Sequence, residues 1–134
     1  MAQSVLQYMV NNAGLAEHFE IDSAATSTEE IGNPPHYGTV KELRRHNIPV
    51  IPHCARQLAK ADEEHFDYLI GMDSANIRNM RRIVGNSEKI YKLMSFTYPE
   101  KDVADPWYTG NFAETYTDVK LGCEKLLEKL ISEL

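Results

Sequence analysis

Tyr68-Leu69-Ile70-Gly71-Met72 is an unbroken apolar run, and Asp73-Ser74 follow it directly. A short apolar run without polar alternation reads as a strand buried on both faces, the pattern of a parallel sheet. Asp73 or Ser74 then supplies an N-cap. Ile77, Met80, Ile83 and Val84 recur at helical spacing up to Gly85, where the helix should stop. Ile90-Tyr91-Lys92-Leu93-Met94 is the next strand candidate. Strand, helix, strand in this order implies a crossover and parallel pairing.

Working outward, residues 2–13 read as a helix with Val5, Leu6, Met9 and Val10 on one stripe and Gly14 at its end. Only Met1 precedes it, so its first amides lack a side-chain cap and the helix looks cut at its start. Phe19 to Ala24 alternates and reads as a strand. Thr26 to Pro35 is a polar loop. Thr39-Val40-Lys41-Glu42 has the capping-box pattern and should open a second helix that ends near His46-Asn47. Ile48 to Ile51 reads as a short strand, with Pro49 toward an edge. A short helix is expected at 60–65. Asn111, with Glu114 three residues on, should cap a long last helix. Its stripe of Phe112, Tyr116, Val119, Cys123, Leu126, Leu127, Leu130 and Leu134 makes Cys123 a packing residue. The expected fold is α/β, three layers α/β/α around a short parallel sheet, in one domain spanning residues 1–134.

Composition narrows the function classes. The chain has 134 residues, 43% hydrophobic content, a formal net charge of −6 and a pI near 5.3. It has no apolar run of about eighteen residues, which excludes a helical membrane span, and no basic-then-apolar leader at Met1 to Val10. The cytoplasm is the expected location. An acidic chain without a basic stripe is a poor nucleic-acid binder. Lys41, Glu42, Arg44 and Arg45 read as one solvated helix face. Cys54 and Cys123 have no metal spacing and form no Cys-x-x-Cys pair, so both read as reduced, partly buried thiols.

Ala104-Asp105-Pro106-Trp107-Tyr108 is the stretch that carries chemistry. A carboxyl ahead of a proline is held on a stiff turn, and two aromatic rings follow it. Such a group can protonate a leaving phenol while the rings flank it. An Asp-Pro pair by itself is more often an ordinary turn.

Five ordered segments make the motif more specific. Ile21-Asp22-Ser23-Ala24-Ala25, then Asn33-Pro34 with Gly38-Thr39, then Ala55-Arg56-Gln57-Leu58, then Phe66 to Asp73 with Asn76, and finally Asp105-Pro106-Trp107-Tyr108 resemble the low-molecular-weight protein tyrosine phosphatases along the whole chain. The resemblance implies Asp105 as general acid and Trp107 and Tyr108 as the ring walls around phosphotyrosine. It implies Ser23 and His53 as residues that hydrogen-bond the phosphate loop into shape. Arg56 and Asp73 would hold loops together, and Glu29 and Glu30 would lie on a loop that tunes substrate choice. No metal or cofactor is implied. Substrates would be phosphotyrosine proteins or small phosphomonoesters.

One departure stands out. The family opens with a strand and a Cys-x5-Arg phosphate loop, followed by Met-Ala-Glu; here Met1-Ala2-Gln3 matches that last triplet. Six residues after Cys54 and Cys123 stand Lys60 and Lys129, not arginine. The expectation is a chain cut at its N-terminus, without its nucleophile and inactive or nearly so. The missing strand would lie inside the sheet and leave two rows of backbone groups unpaired, each buried group costing about 1–3 kcal/mol. A homodimer or swapped dimer is expected to close the gap. Two alternatives stay open: a non-catalytic binding or assembly module, and an arsenate reductase on the same fold.

Overall fold

The computed structural model describes residues 1–27, 32–98 and 100–134, with Trp107 described by its backbone alone. Glu29, Glu30 and the Trp107 side chain therefore lie outside the described part. The order is α1 (Ala2–Asn12), α2 (Tyr37–Arg45), α3 (Lys60–His65), β1 (Leu69–Gly71), α4 (Ser74–Val84), β2 (Ile90–Lys92), α5 (Pro106–Thr109) and α6 (Phe112–Ser132). Short 3-10 turns at Ala16–His18 and Leu93–Phe96 complete it.

The apolar run becomes β1, paired in parallel with β2 in the register Leu69 to Ile90, Ile70 to Tyr91 and Gly71 to Lys92. Among the described residues this is the whole sheet. Asp73 caps α4 by accepting the amide of Asn76 at 2.7 Å, and Gly85 ends it at φ 86°. Helices cover both faces, giving the three-layer α/β/α arrangement. On one face α4 lies so close that a Cβ on Gly71 would meet Ile77 Cδ1 at 2.8 Å. On the other, Ile70 packs against the core that α1 and α6 build with Leu93 and Met94. Val5, Leu93, Val119 and Cys123 are fully buried there. Asn111 accepts the Glu114 amide at 3.0 Å and caps α6 as its sequence predicts.

Four expectations need correction. Phe19 to Ala24 is extended but is not a strand; among the described residues only Ala25 makes a bridge, to Gln57. Its side chains still alternate between half-buried and exposed. The period sets conformation and sidedness, but a strand also needs a neighbour. Ile48 to Ile51 is not a strand either. The Ile48 amide turns back to Leu43 O at 3.0 Å, Pro49 has no amide hydrogen, and the Ile51 amide donates to Ser4 Oγ at 3.2 Å. The second helix starts before Thr39: His36 Nδ1 accepts the Gly38 amide at 3.0 Å and does the capping. Glu42 is buried, not solvated. It pairs with His46 at 2.9 Å, and His46 stacks on Tyr116 with ring centroids 3.8 Å apart. α2 ends at Arg45, and the turn that follows it passes through Asn47, which takes the left-handed φ of 58° that asparagine tolerates.

Candidate functional site

An open groove of about 1710 Å³ runs along β1. One wall is the segment from Phe19 to Ser27; the other is Tyr68 to Asp73. Ala104, Asp105, Pro106 and Tyr108 border it too, because the Val103 amide is fixed to Met72 O at 2.9 Å. That bond sets the Asp105 turn directly after β1. The Asp105 carbonyl accepts the amides of Tyr108 at 3.1 Å and Thr109 at 3.3 Å and so starts α5. The stiff loop expected around Asp105 is therefore a turn passing into a one-turn helix. Asp105 is exposed, and Tyr108 is 90% exposed.

Ser23 borders this groove and also a second cavity of about 150 Å³, which it shares with His53, Asn33, Gln3 and Ser4. Ser23 Oγ donates to Gln3 Oε1 at 2.8 Å, and Gln3 Nε2 donates to Ile21 O at 3.4 Å. His53 reaches toward Asp22, Nδ1 to Oδ1 at 3.7 Å. The structure thus brings Ser23 and His53 to one cavity, and Asp105 and Tyr108 to the adjoining groove. Gln3 was not legible beforehand: its partners lie about twenty residues away, and a single glutamine at a helix start carries no pattern.

Arg56 does the work of a loop clamp. Its guanidinium grips Asp62 as a two-pronged fork, at 3.0 and 3.1 Å, while Nε donates to Asp22 at 3.2 Å. Asp62 also accepts the Ala59 amide at 2.8 Å and so secures the start of α3. The hydrogen bond from Arg56 holds the Asp62 carboxyl below its ordinary value of 3.8. A depressed folded value means that the contribution is complete above pH 3.8 and fades as pH falls through the lower folded value. Asp62→Asn is expected to destabilise at neutral pH and to flatten stability against pH below about 4. Urea titrations of both proteins at stepped pH measure this; parallel curves would contradict it.

The two cysteines differ, which corrects the expectation for one of them. Cys123 is buried in α6, and burial pushes its thiol up to about 12. Cys54 is exposed, on the loop that follows Pro52. Among the described residues no three His, Cys, Asp or Glu side chains converge on a metal position. No described helix is long and apolar enough to cross a membrane.

Residues 1–134 match the family described as low molecular weight phosphotyrosine protein phosphatase. The chain belongs to this family. It is 39% identical over 137 residues to the low molecular weight protein-tyrosine-phosphatase YfkJ of Bacillus subtilis, a match that takes in 99% of this chain and 88% of that one. The crystal structure of YfkJ superposes with a TM-score of 0.94 at 38% identity, over 98% of this chain and 86% of that one. PtpA of Staphylococcus aureus is 31% identical over 135 residues, 99% of this chain and 86% of the relative. The low molecular weight protein tyrosine phosphatase of Streptococcus pyogenes superposes at a TM-score of 0.85 with 36% identity, over 96% of this chain and 82% of that one. These phosphatases share the α/β fold with its short parallel sheet.

Proposed function

We propose that residues 1–134 carry the acid and ring side of a low-molecular-weight tyrosine phosphatase site, without its nucleophile side. Asp105 is the general acid, Trp107 and Tyr108 flank the substrate ring, and Ser23 and His53 support a phosphate loop. Phosphotyrosine proteins or small phosphomonoesters are the substrate class. On this reading the 134 residues form one domain, and by themselves they are inactive or nearly so.

The observation that carries the reading is the family match along residues 1–134 in a sequence where neither cysteine begins a Cys-x5-Arg. In the family's chemistry a thiolate attacks phosphorus and an arginine fork holds the phosphoryl oxygens. Here Cys123 is buried with a raised pKa, so it is no nucleophile. The groove beside Asp105 is bordered by eight carboxylates and two side-chain cations, Arg56 and Lys89, a poor setting for a phosphate dianion. The buried Cys123 also argues against the arsenate-reductase alternative, which requires reactive thiols.

The test is p-nitrophenyl phosphate hydrolysis by the 134 residues and by the same chain carrying the family's opening strand and Cys-x5-Arg loop. Background rates from the short form and turnover by the longer one are expected. Turnover by the 134 residues alone would overturn the reading; activity in neither would favour the binding or assembly module. Closure of the open side of β1 belongs to the same reading. A homodimer or swapped dimer is one way to achieve it, and a light-scattering mass of one chain would count against that form.

A further inference from the structure

Three consecutive residues ahead of Asp105 are each fixed by a different part of the fold. Ala104 O accepts the Thr115 hydroxyl of α6 at 2.9 Å. The Val103 amide is held on Met72 O, just past β1, and Val103 itself is 3% exposed. Asp102 is fixed by charge. Lys92 Nζ stands 2.8 Å from Asp102 Oδ1 and donates to Ser74 Oγ at 3.1 Å, while Ser74 Oγ donates to the same Asp102 oxygen at 3.3 Å. These contacts close a triangle. Glu100 adds a second carboxylate, 3.7 Å from the Lys92 ammonium.

An isolated surface ion pair fixes little, because two long side chains give up freedom for a screened attraction. Lys92 differs on two counts. It is the last residue of β2, paired with Gly71 of β1, and its side chain is only 18% exposed. Ser74 is the first residue of α4, directly behind the Asp73 cap. The loop is thus tied to a strand and a helix that the core already holds. The hydrogen bond from Lys92 keeps the Asp102 carboxyl below its ordinary 3.8, and the same bond raises the Lys92 ammonium above its ordinary 10.5, so both stay charged at neutral pH. Downstream of Asp105, α5 is a single turn whose Tyr108 and Thr109 are exposed. The acid therefore takes its place from the residues before it.

We propose that Lys92, through Asp102, is a positioning residue for Asp105. It pins the loop at residue 102, so that the carboxyl three residues on keeps the place from which it protonates the leaving oxygen. Lys92 acts through the loop and not on the substrate. The inference rests on the reading of Asp105 as general acid.

Two measurements test it, the first without turnover. Trp107 is the only tryptophan of the chain and stands two residues after Asp105, so its emission reports on this turn. In the 134-residue protein Lys92→Met should lower the anisotropy of that emission. Lys92→Arg, which keeps the charge, should leave it near the parent value. Unchanged anisotropy in Lys92→Met would overturn the proposal. If Lys92→Met also moves the urea midpoint, Asp102→Asn breaks the contact from the loop side and is read in the same way. The second measurement uses the chain carrying the family's opening strand and Cys-x5-Arg loop. There Lys92→Met should lower kcat on phosphotyrosine by roughly 10–10²-fold, since a misplacement of about 1 Å costs about 10². The loss on p-nitrophenyl phosphate should be smaller, and KM should hold. Lys92→Arg should restore most of the rate. With Asp105→Asn already in place, Lys92→Met should change nothing further, because a residue that acts only through the acid is silent once the acid is gone. A full further loss in that background would overturn the proposal. The two readings fail separately. A leaving-group-dependent loss for Asp105→Asn with none for Lys92→Met would refute the anchor and leave the acid standing. Equal losses on both substrates for Asp105→Asn would refute the acid, and Lys92 would then hold a turn without a catalytic task.

Discussion

Leu93→Ala should lower stability by about 2–5 kcal/mol, the range for removing a buried leucine and leaving a cavity. Leu93 is 1% exposed and closes the core where β2 passes into the 3-10 turn. Its Cγ lies against α6 at Gly122, where an added Cβ would come within 2.6 Å. A regular helix backbone cannot collapse into the vacated space, so the cost should fall in the upper half of that range. The same contact supplies a sharper test. Gly122→Ala alone gains up to about 1 kcal/mol of helix propensity but must displace the branch point of a buried leucine, which costs about 1–3 kcal/mol; the net effect should be destabilising. In a Leu93→Ala background the obstacle is gone, and the new methyl enters the cavity. The double variant should therefore be more stable than the sum of the single losses, by about 0.5–3 kcal/mol. Urea unfolding with an unchanged slope measures all four proteins. Additive losses would mean that Leu93 and Gly122 do not share the contact.

What could be read beforehand divides along the range of the interactions. The caps at Asp73 and Asn111 were legible because donor and acceptor sit three residues apart. β1 was legible because burial on both faces leaves no polar residue in the run. The strand reading of Phe19 to Ala24 failed for the opposite reason. Its alternation is real, but hydrogen bonds come from a neighbour that no local pattern describes. Glu42 looked solvated because Lys41, Arg44 and Arg45 surround it in sequence, while its burial depends on His46 and Tyr116, the latter in α6. Among the candidate site residues, Asp105 announces itself by the proline that follows. The meeting of Ser23 and His53 at one cavity is tertiary, and only the resemblance pointed to it.

In a chain that carries the family's opening loop, Asp105→Asn should cut kcat on phosphotyrosine by about 10²–10⁴, the usual contribution of a general acid. The bonds that start α5 use the Asp105 carbonyl, which asparagine keeps, and Pro106 is untouched. What asparagine lacks is a proton to give to the leaving oxygen. A tyrosine leaves as a phenolate of pKa about 10 and needs that proton in the transition state. p-Nitrophenolate is a far better leaving group and needs it less. The loss should therefore be larger with phosphotyrosine than with p-nitrophenyl phosphate, and the difference between the two substrates is the signature of an acid. KM should move little, because proton donation is made in the transition state and not in the bound ground state. Equal losses with both substrates would mark Asp105 as a residue that shapes the loop, and the role of proton donor would then have to pass to another group on this rim.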